Sequence, residues 1–234
     1  MLLRLKKKRQ MKTRKEIEIE LSTLICSKLK NAIDTKGCAS LLVSGGSTPV
    51  QLFQELSTKN INWSKVNVIP VDERFLPDSN PDQNGNLIKQ HLLQNNASVA
   101  NFQPLILNSE DAELNLSLVK SSIEEILQPF TVVILGMGTD GHTASLFPCS
   151  AELDHGLDLG SNDDLIITNP KSAPYQRISF TRKALLNTEN LYLHCYGEEK
   201  KQLLDRLESN SEKKHPIKAF IAQSNIKPEI FWSK

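Results

Sequence analysis

The sequence predicts an α/β protein with an open, mainly parallel, Rossmann-like sheet that carries helices on both faces. Segments of strand length alternate along the chain with segments of helical periodicity, the order that produces a parallel sheet with crossover helices. The segment over residues 131–135 is almost wholly apolar, as strands buried on both faces are. The 234 residues are 39% hydrophobic and 24% charged, and a chain of this size buries roughly 70% of its unfolded surface.

The first elements follow from local patterns. Apolar residues from Ile17 to Ile33 recur at helical spacing, and Gly37 is expected to end this helix. The short apolar segment Ala39–Val43 is expected to form a buried strand. A second helix is expected to begin near Pro49, because proline suits the first helical turn.

The later elements are predicted by the same two periodicities. Helical spacing predicts helices over residues 86–93, 110–127, 198–207 and 217–222. Apolar segments of strand length predict strands over 66–69, 131–135, 165–168, 177–181, 190–195 and 230–232. In the helix over 110–127, the residues expected to face the core are Leu114, Leu118, Ile123 and either Ile126 or Leu127.

Charge is distributed unevenly along the chain. Residues 1–15 hold eight basic and no acidic side chains; subtracting these eight from 28 leaves 20 basic against 27 acidic residues, a net charge of −7. Because an acidic body is a poor general binder of nucleic acid, we expect no specific nucleic-acid partner. We expect residues 1–14 to form a mobile basic extension and residues 15–234 to form a single α/β domain.

Membrane and disulfide-linked classes are not expected. No apolar run approaches the roughly 20 residues that a membrane helix needs, and the basic start lacks the apolar stretch of a secretory signal. The four cysteines lie far apart and form no C-x-x-C pair. This spacing is typical of reduced thiols in a cytoplasmic protein rather than of a disulfide frame or a metal site.

Three loops that follow predicted strands hold the least ordinary residues. In open parallel sheets, ligands bind outside the carboxyl ends of the strands. The loops after Val43, Ile69 and Leu135 are therefore expected to converge on one crevice.

The first loop is rich in glycine and hydroxyl groups. Its residues are Ser44, Gly45, Gly46, Ser47 and Thr48. Glycines let the backbone approach a ligand closely, and the N–H groups at the start of the following helix attract anions. The loop predicts a phosphate cradle, with a tight, capped strand–helix turn as the alternative; it is no Walker A loop, because Gly-Lys-Ser/Thr does not follow.

The second loop places Asp72, Glu73 and Arg74 directly after an apolar strand. Charged groups in that position are costly unless they pair or act on a ligand. Two interpretations stay open: functional groups that face the crevice, or an internal ion pair of Asp72 or Glu73 with Arg74.

The third loop, GMGTDGH at 136–142, contains a formal G-x-G-x-x-G. We do not interpret it as a dinucleotide site, because Asp140 and His142 put polar, partly anionic groups where a pyrophosphate would lie and Pro148 would cut the following helix short. A histidine titrates near neutral pH and can serve as a general base, and Asp140 could orient its ring. The alternative is a histidine packed in a turn.

In order and spacing, SGGSTP at 44–49, DERF at 72–75 and GMGTDGHTASLFP at 136–148 resemble the 6-phosphogluconolactonase family, within the glucosamine-6-phosphate deaminase/isomerase-like group. PYQRISFT at 174–181 is similar to the family stretch P-x-x-R-I-T-x-T, and Gly197 with Lys200 matches as well. The resemblance spans about residues 37–234. It implies hydrolysis of 6-phospho-D-glucono-1,5-lactone to 6-phosphogluconate in the oxidative pentose phosphate pathway, with no cofactor and no metal.

The residues support that chemistry in defined roles. We expect His142 to activate a water and Asp140 to orient the His142 ring, while the loop over 44–48 binds the phosphate. Arg74, Arg177 and Lys200 are candidates to bind the phosphate or the oxyanion, and spacing does not choose between them. Asp72 is expected to contact sugar hydroxyls or to hold Arg74.

The remaining histidines and two departures from the family pattern carry less weight. The histidines expected to be surface or packed are His91, His155, His194 and His215. The family usually has Ser before the asparagine at position 84, where this chain has Gln83, and Thr where this chain has Ser179. Neither departure affects the proposed base.

Two other functions remain open. Isomerases and deaminases on the same fold look to carry a carboxylate just before the proline that closes the third motif; here Phe147 stands there, and it cannot transfer a proton. A non-catalytic sugar-phosphate sensor of transcription would need a DNA-binding module. The residues before the first strand hold one amphipathic helix and a basic tail, too little for a helix-turn-helix domain.

Overall fold

The computed structural model describes residues 12–234 except 125, 127, 210–214 and 223–224. Its helices are α1 (Arg14–Lys36), α2 (Val50–Ser57), α3 (Asn84–His91), α4 (Ala112–Glu124), α5 (Leu153–Leu157), α6 (Arg182–Leu186), α7 (Glu198–Ser209) and α8 (Pro216–Ile221). Its strands are β1 (Ala39–Val43), β2 (Val66–Pro70), β3 (Asp72–Arg74), β4 (Asn101–Phe102), β5 (Val132–Leu135), β6 (Leu165–Thr168), β7 (Arg177–Phe180), β8 (Leu191–Tyr196) and β9 (Glu229–Ser233).

A six-stranded sheet with the order β4-β2-β1-β5-β8-β9 forms the centre of the fold. All of its neighbouring strands are parallel, so the predicted open parallel sheet is confirmed. From β1 the chain adds β2 and β4 on one side and then β5, β8 and β9 on the other. The order therefore reverses between β1 and β5, and a crevice opens at such a switch point.

Helices cover both faces of this sheet, as predicted. Successive strand residues point to opposite faces, so Val132 and Ile134 of β5 pack in one core cluster with α1 and α2. Val133 and Leu135 pack in a second cluster with α4, α7 and α8. Because β5 is buried on both faces, its almost uninterrupted apolar sequence is explained.

Both ends of α1 are fixed by local signals. Thr13 and Glu16 form a capping box at its start, and Gly37 ends it with φ +83°, a conformation that glycine adopts without strain. Ile17, Leu21, Ile25 and Leu29 are buried at helical spacing, which confirms the predicted helix. Residues 1–11 of the expected extension lie outside the described residues, and no described helix is long and apolar enough to cross a membrane.

A second, three-stranded sheet with the order β3-β7-β6 was not predicted. Its strands pair antiparallel, so β6 and β7 do not continue the main sheet. Val71, between β2 and β3, joins the two sheets: its N–H donates to Val43 O and its carbonyl accepts from Phe180 N–H, at 2.9 and 3.0 Å. The three-residue β3 is too short to show a strand periodicity in the sequence.

The predicted core face of α4 was wrong at two positions. Leu114 and Leu118 are 48% and 42% exposed, whereas Asn115, Val119 and Ile123 are buried. Asn115 replaces the expected leucine because its side chain satisfies a loop: its Oδ1 accepts the N–H groups of residues 107 and 108, and its Nδ2 donates to the carbonyl of residue 105. A polar residue therefore lies on the buried face of α4, and the spacing of the leucines predicts the wrong face at these positions.

Two truncations test these two helix faces. Leu21→Ala removes a fully buried side chain and is expected to lower the free energy of unfolding by about 2–5 kcal/mol. Leu114→Ala removes an exposed one and is expected to change it by less than about 0.5 kcal/mol. Urea unfolding at pH 7 measures both; equal losses for the two variants would contradict this placement of the core.

Candidate active site

The three loops meet at the predicted crevice, a cavity of about 270 Å³ at the carboxyl ends of β1 and β5. The first loop contributes residues 44–48, and the second contributes Asp72 and Arg74. The third contributes Gly136 and His142, and Arg177 and Lys200 complete the wall. Every candidate residue except Asp140 therefore lines the cavity. Asp140 adjoins it through its hydrogen bond to His142.

His142 and Asp140 form a close pair. The ring Nδ1 lies 2.6 Å from Asp140 Oδ1, and the same oxygen accepts the His142 backbone N–H at 3.1 Å. Because a carboxylate can only accept, Nδ1 carries the proton and the lone pair of the neutral ring resides on Nε2. No described residue hydrogen-bonds Nε2 in this structure, and the side chain is 32% exposed, so this nitrogen is accessible from the crevice.

The charge of Asp140 is stabilised by its partner. Partial burial raises the pKa of Asp140, but the hydrogen bonds from the His142 ring and backbone outweigh it and hold the pKa below its usual value. A carboxylate that stays ionised near neutral pH can stabilise the imidazolium that forms when His142 takes a proton.

Neighbouring residues fix the position of the His142 ring. A Cβ at Gly138 would lie 2.2 Å from His142 Nδ1 and 2.7 Å from Asp140 Oδ1, so only glycine fits there. Phe147 stacks on the imidazole at 4.2 Å between ring centroids. Phe147, the residue before the proline that closes the third motif, therefore supports the ring of the candidate base.

Ser44 connects the first and third loops. Its hydroxyl donates to Ile134 O at 3.1 Å and accepts the Gly136 N–H at 2.8 Å. This hydroxyl therefore joins β1 to β5 across the switch point, in addition to any ligand contact. The phosphate-binding role expected of Ser44 stays a prediction.

The rest of the first loop is open to the crevice. Gly46 and Ser47 are exposed, and Thr48 is half-buried. Gly46 has φ +84°, which glycine tolerates best. No side chain caps the start of α2, so its first N–H groups are available to an anion, and the phosphate cradle stays a prediction.

Glu73 holds the second loop on α3. Its Oε1 accepts the N–H groups of Arg74 and Asn84 at 2.7 and 2.8 Å, and its Oε2 accepts the Gly85 N–H at 2.7 Å. Glu73 thus caps α3, whose own N-cap residue, Gln83, makes no side-chain cap. Burial raises the pKa of Glu73 to about 7, more than these three bonds lower it.

The ion pair considered for the second loop is not what the structure shows. The Arg74 guanidinium donates to the backbone carbonyl of Asp82, and the Asp72 carboxylate accepts the Ser145 hydroxyl. Asp72 therefore does not hold Arg74, and the other expected role, contact with sugar hydroxyls, remains a prediction. Asp72 is 6% exposed and lines the crevice.

The two arginines are incompletely paired. Arg177 donates to Pro174 O at 3.1 Å and lies 5.5 Å from the Phe147 ring centroid. The Nε atoms of Arg74 and Arg177 are buried and have no hydrogen-bond partner. Since unpaired buried donors are unfavourable, these groups fit a site that binds an anion.

Two histidines that the sequence analysis expected to be surface or packed lie beside this site. His194 lines the crevice at 2% exposure, and its Nε2 lies 2.7 Å from Tyr196 Oη; burial lowers the pKa of His194 to about 4, so the ring is neutral. His215 Nδ1 donates to Asp140 O at 2.7 Å. Both lie more than 50 residues after His142 in the chain, so no local motif could have found them.

In the part of the chain that the structure describes, no group of three or more His, Cys, Asp or Glu side chains could hold a metal.

Comparison with known proteins gives a consistent result. A family model described as glucosamine-6-phosphate isomerases/6-phosphogluconolactonase matches residues 12–232. A protein from Rhizobium meliloti (strain 1021) named 6-phosphogluconolactonase is 39% identical over 208 residues, 88% of this chain and 90% of that protein. One from Helicobacter pylori (strain ATCC 700392 / 26695) with the same name is 38% identical over 83% of this chain and 84% of its own length. The crystal structure of a 6-phosphogluconolactonase from Shewanella baltica OS155 superposes with a TM-score of 0.90 at 42% identity, covering 95% of each chain.

The raised pKa of Glu73 predicts a pH-dependent contribution to stability. Between about pH 4.5 and 7 the folded protein keeps a proton on Glu73 that the unfolded chain releases, so folding binds more protons and stability falls as the pH rises. Glu73→Gln cannot titrate. The unfolding free energy of the unsubstituted protein minus that of the variant should fall by on the order of 3 kcal/mol from pH 4.5 to 7.5.

Urea unfolding of both proteins at several pH values measures this difference, since contributions from all other groups cancel. A difference that does not change with pH would mean that folding does not raise the pKa of Glu73, and the prediction would be wrong.

Proposed function

The chain belongs to the glucosamine-6-phosphate isomerase/6-phosphogluconolactonase family, and we propose that His142 activates the water with which it hydrolyses 6-phospho-D-glucono-1,5-lactone. It is a lactone hydrolase of the pentose phosphate pathway, like the 6-phosphogluconolactonases that match it over most of their length. One observation carries the assignment of the base: a histidine held by a carboxylate at 2.6 Å presents its other nitrogen to a crevice rich in cationic groups.

The hydrolysis follows from this geometry. His142 Nε2 takes a proton from water as the water oxygen attacks the lactone carbonyl carbon, and the carbonyl π electrons move to oxygen. The tetrahedral oxyanion then collapses and breaks the bond from the carbonyl carbon to the ring oxygen. The imidazolium returns its proton to that oxygen, which leaves a neutral His142 and the product as a carboxylic acid; the acid releases its proton to solvent and becomes 6-phosphogluconate. Asp140 stabilises the imidazolium between these two steps.

Positive charge supports both the substrate and the intermediate. We place the phosphate against the loop over 44–48 and the start of α2, where N–H groups and hydroxyls converge. Arg74, Arg177 and Lys200 supply the cations for the phosphate and the oxyanion. Asp72, beside them, accepts hydrogen bonds from sugar hydroxyls.

A sugar-phosphate isomerase or deaminase is the second candidate, because the family includes such enzymes. Proton transfer between substrate carbons would need an acid or base where the third motif carries Phe147. That ring is stacked on His142 and 4% exposed. This contact favours the lactonase over the isomerase.

We also propose that residues 15–234 act as one catalytic domain in the cytoplasm. Supporting this, the family match extends over residues 12–232. The cysteines Cys26, Cys38, Cys149 and Cys195 are free, as is usual in a reducing compartment.

The proposed reaction is tested by following the decay of the lactone, generated in situ from glucose 6-phosphate, with and without the protein. The unsubstituted chain is expected to accelerate the decay. His142→Ala should lower kcat by about 10²–10⁴-fold, the range that a positioned general base supplies, with little change in KM.

His155→Ala is the matched control, because His155 pairs with Asp163 on the surface; its turnover should equal that of the unsubstituted chain. Near-normal turnover in His142→Ala, after subtraction of spontaneous hydrolysis, would remove the base assignment. Release of ammonia from glucosamine 6-phosphate at a comparable rate would favour the deaminase.

The cations are tested by Lys200→Ala. If the Lys200 ammonium binds the phosphate of the ground state, KM should rise roughly tenfold or more, because a hydrogen bond to a charged group is lost, while kcat changes little. Lys201→Ala removes the next lysine of α7, which pairs with Asp205, and should leave KM unchanged. An unchanged KM in Lys200→Ala contradicts this role.

A further inference from the structure

Two loops, which we call the rim loops, contact the side chains of Arg74 and Arg177 that line the crevice. One comprises residues 75–83, between β3 and α3, and the other comprises residues 169–176, between β6 and β7. They are joined by a side-chain hydrogen bond in which Tyr175 Oη donates to Asp82 Oδ2 at 3.0 Å. We call this contact the rim bond.

Each arginine is oriented by a carbonyl at one end of the rim bond. Arg74 Nη1 donates to the backbone carbonyl of Asp82, and Arg177 Nη2 donates to that of Pro174, the residue before Tyr175, at 3.1 Å. The buried Nε atoms of both arginines have no partner. The position of either guanidinium thus depends on where its rim loop lies.

Tyr175 adopts a backbone conformation that needs support. Its φ is +72°, in the left-handed region, which is a genuine outlier for a bulky side chain and is unfavourable. The residue is 42% exposed, so burial of the ring does not explain why this conformation is kept. We attribute this conformation to the hydrogen bond from the Tyr175 hydroxyl to the Asp82 carboxylate, since hydrogen bonds to a charged group are stronger than those between neutral groups.

We propose that the Tyr175–Asp82 rim bond positions Arg74 and Arg177 together for the phosphorylated substrate, which makes Tyr175 and Asp82 positioning residues of this enzyme. This inference rests on the proposed lactonase function. With the bond in place, the two guanidinium groups hold a fixed separation before substrate arrives. Without it, the loops stay joined at the strand ends by the bond from Phe75 N–H to Gln176 O at 2.8 Å, but Asp82 and Pro174 are held less firmly, and binding must restore the arrangement.

The test measures kcat and KM for 6-phospho-D-glucono-1,5-lactone in variants of the rim bond. Tyr175→Phe removes only the hydroxyl, and Asp82→Ala removes the carboxylate but keeps the carbonyl that Arg74 uses. Each should raise KM about three- to tenfold, the effect of one net hydrogen bond, with kcat within about twofold. The double variant should be no worse than the more impaired single variant, because both remove the same bond.

Two further variants separate positioning from general damage. Asp82→Asn keeps an acceptor oxygen for the tyrosine hydroxyl and should restore KM to within about twofold of the unsubstituted value. Asp78→Ala is the matched control on the same loop, because Asp78 pairs with Lys89 rather than with Tyr175; its KM should not change. Thermal unfolding establishes that all variants are folded.

The outcomes are distinguishable. If the unsubstituted protein does not hydrolyse the lactone, the proposed function fails. If it does, but Tyr175→Phe leaves KM unchanged or lowers only kcat, the rim bond does not position the arginines and this inference is wrong. An equal rise of KM in Asp78→Ala would likewise overturn it.

Discussion

The crevice depends on the capture of three backbone N–H groups by the buried Glu73 carboxyl. Leaving these donors unpaired in the interior would be unfavourable, so the second loop and the start of α3 must stay together. Asn84, held at that point, fills the space where a Cβ of Gly45 would lie, 1.9 Å from its Oδ1. The same Asn84 donates from Nδ2 to Asp72 O at 2.8 Å. One buried carboxyl therefore sets the distance between the glycine-rich loop and the loop that carries Arg74.

The topology of the main sheet places the chemistry. Because the strand order reverses between β1 and β5, the loops that leave these strands diverge and expose backbone groups that would be covered elsewhere. Ser44 joins the two strands at that point, and the third loop then turns back so that Asp140 and His142 meet. A phosphate-binding loop and a general base are thus neighbours in space although about 95 residues separate them in the chain.

Much of this could be predicted from the sequence, because the main strands and α1 carry strong periodicities and the three loops follow strands whose ends must meet. What could not be predicted depends on contacts between distant residues. The antiparallel sheet of β3, β7 and β6 requires that a three-residue strand find a partner about 100 residues away. In α4, Asn115 rather than a leucine faces the core, because its side chain hydrogen-bonds the backbone of the preceding loop. Neither His215 against the third loop nor the Tyr175–Asp82 bond has a local pattern.

A crystal structure of the protein with 6-phosphogluconate bound tests the central claim most directly. The account predicts that the phosphate lies against the loop over 44–48 and that the product carboxylate, which marks the former carbonyl carbon, lies within hydrogen-bond distance of His142 Nε2. A product bound the other way round, with its phosphate beside His142 and its carboxylate at the glycine-rich loop, would contradict it.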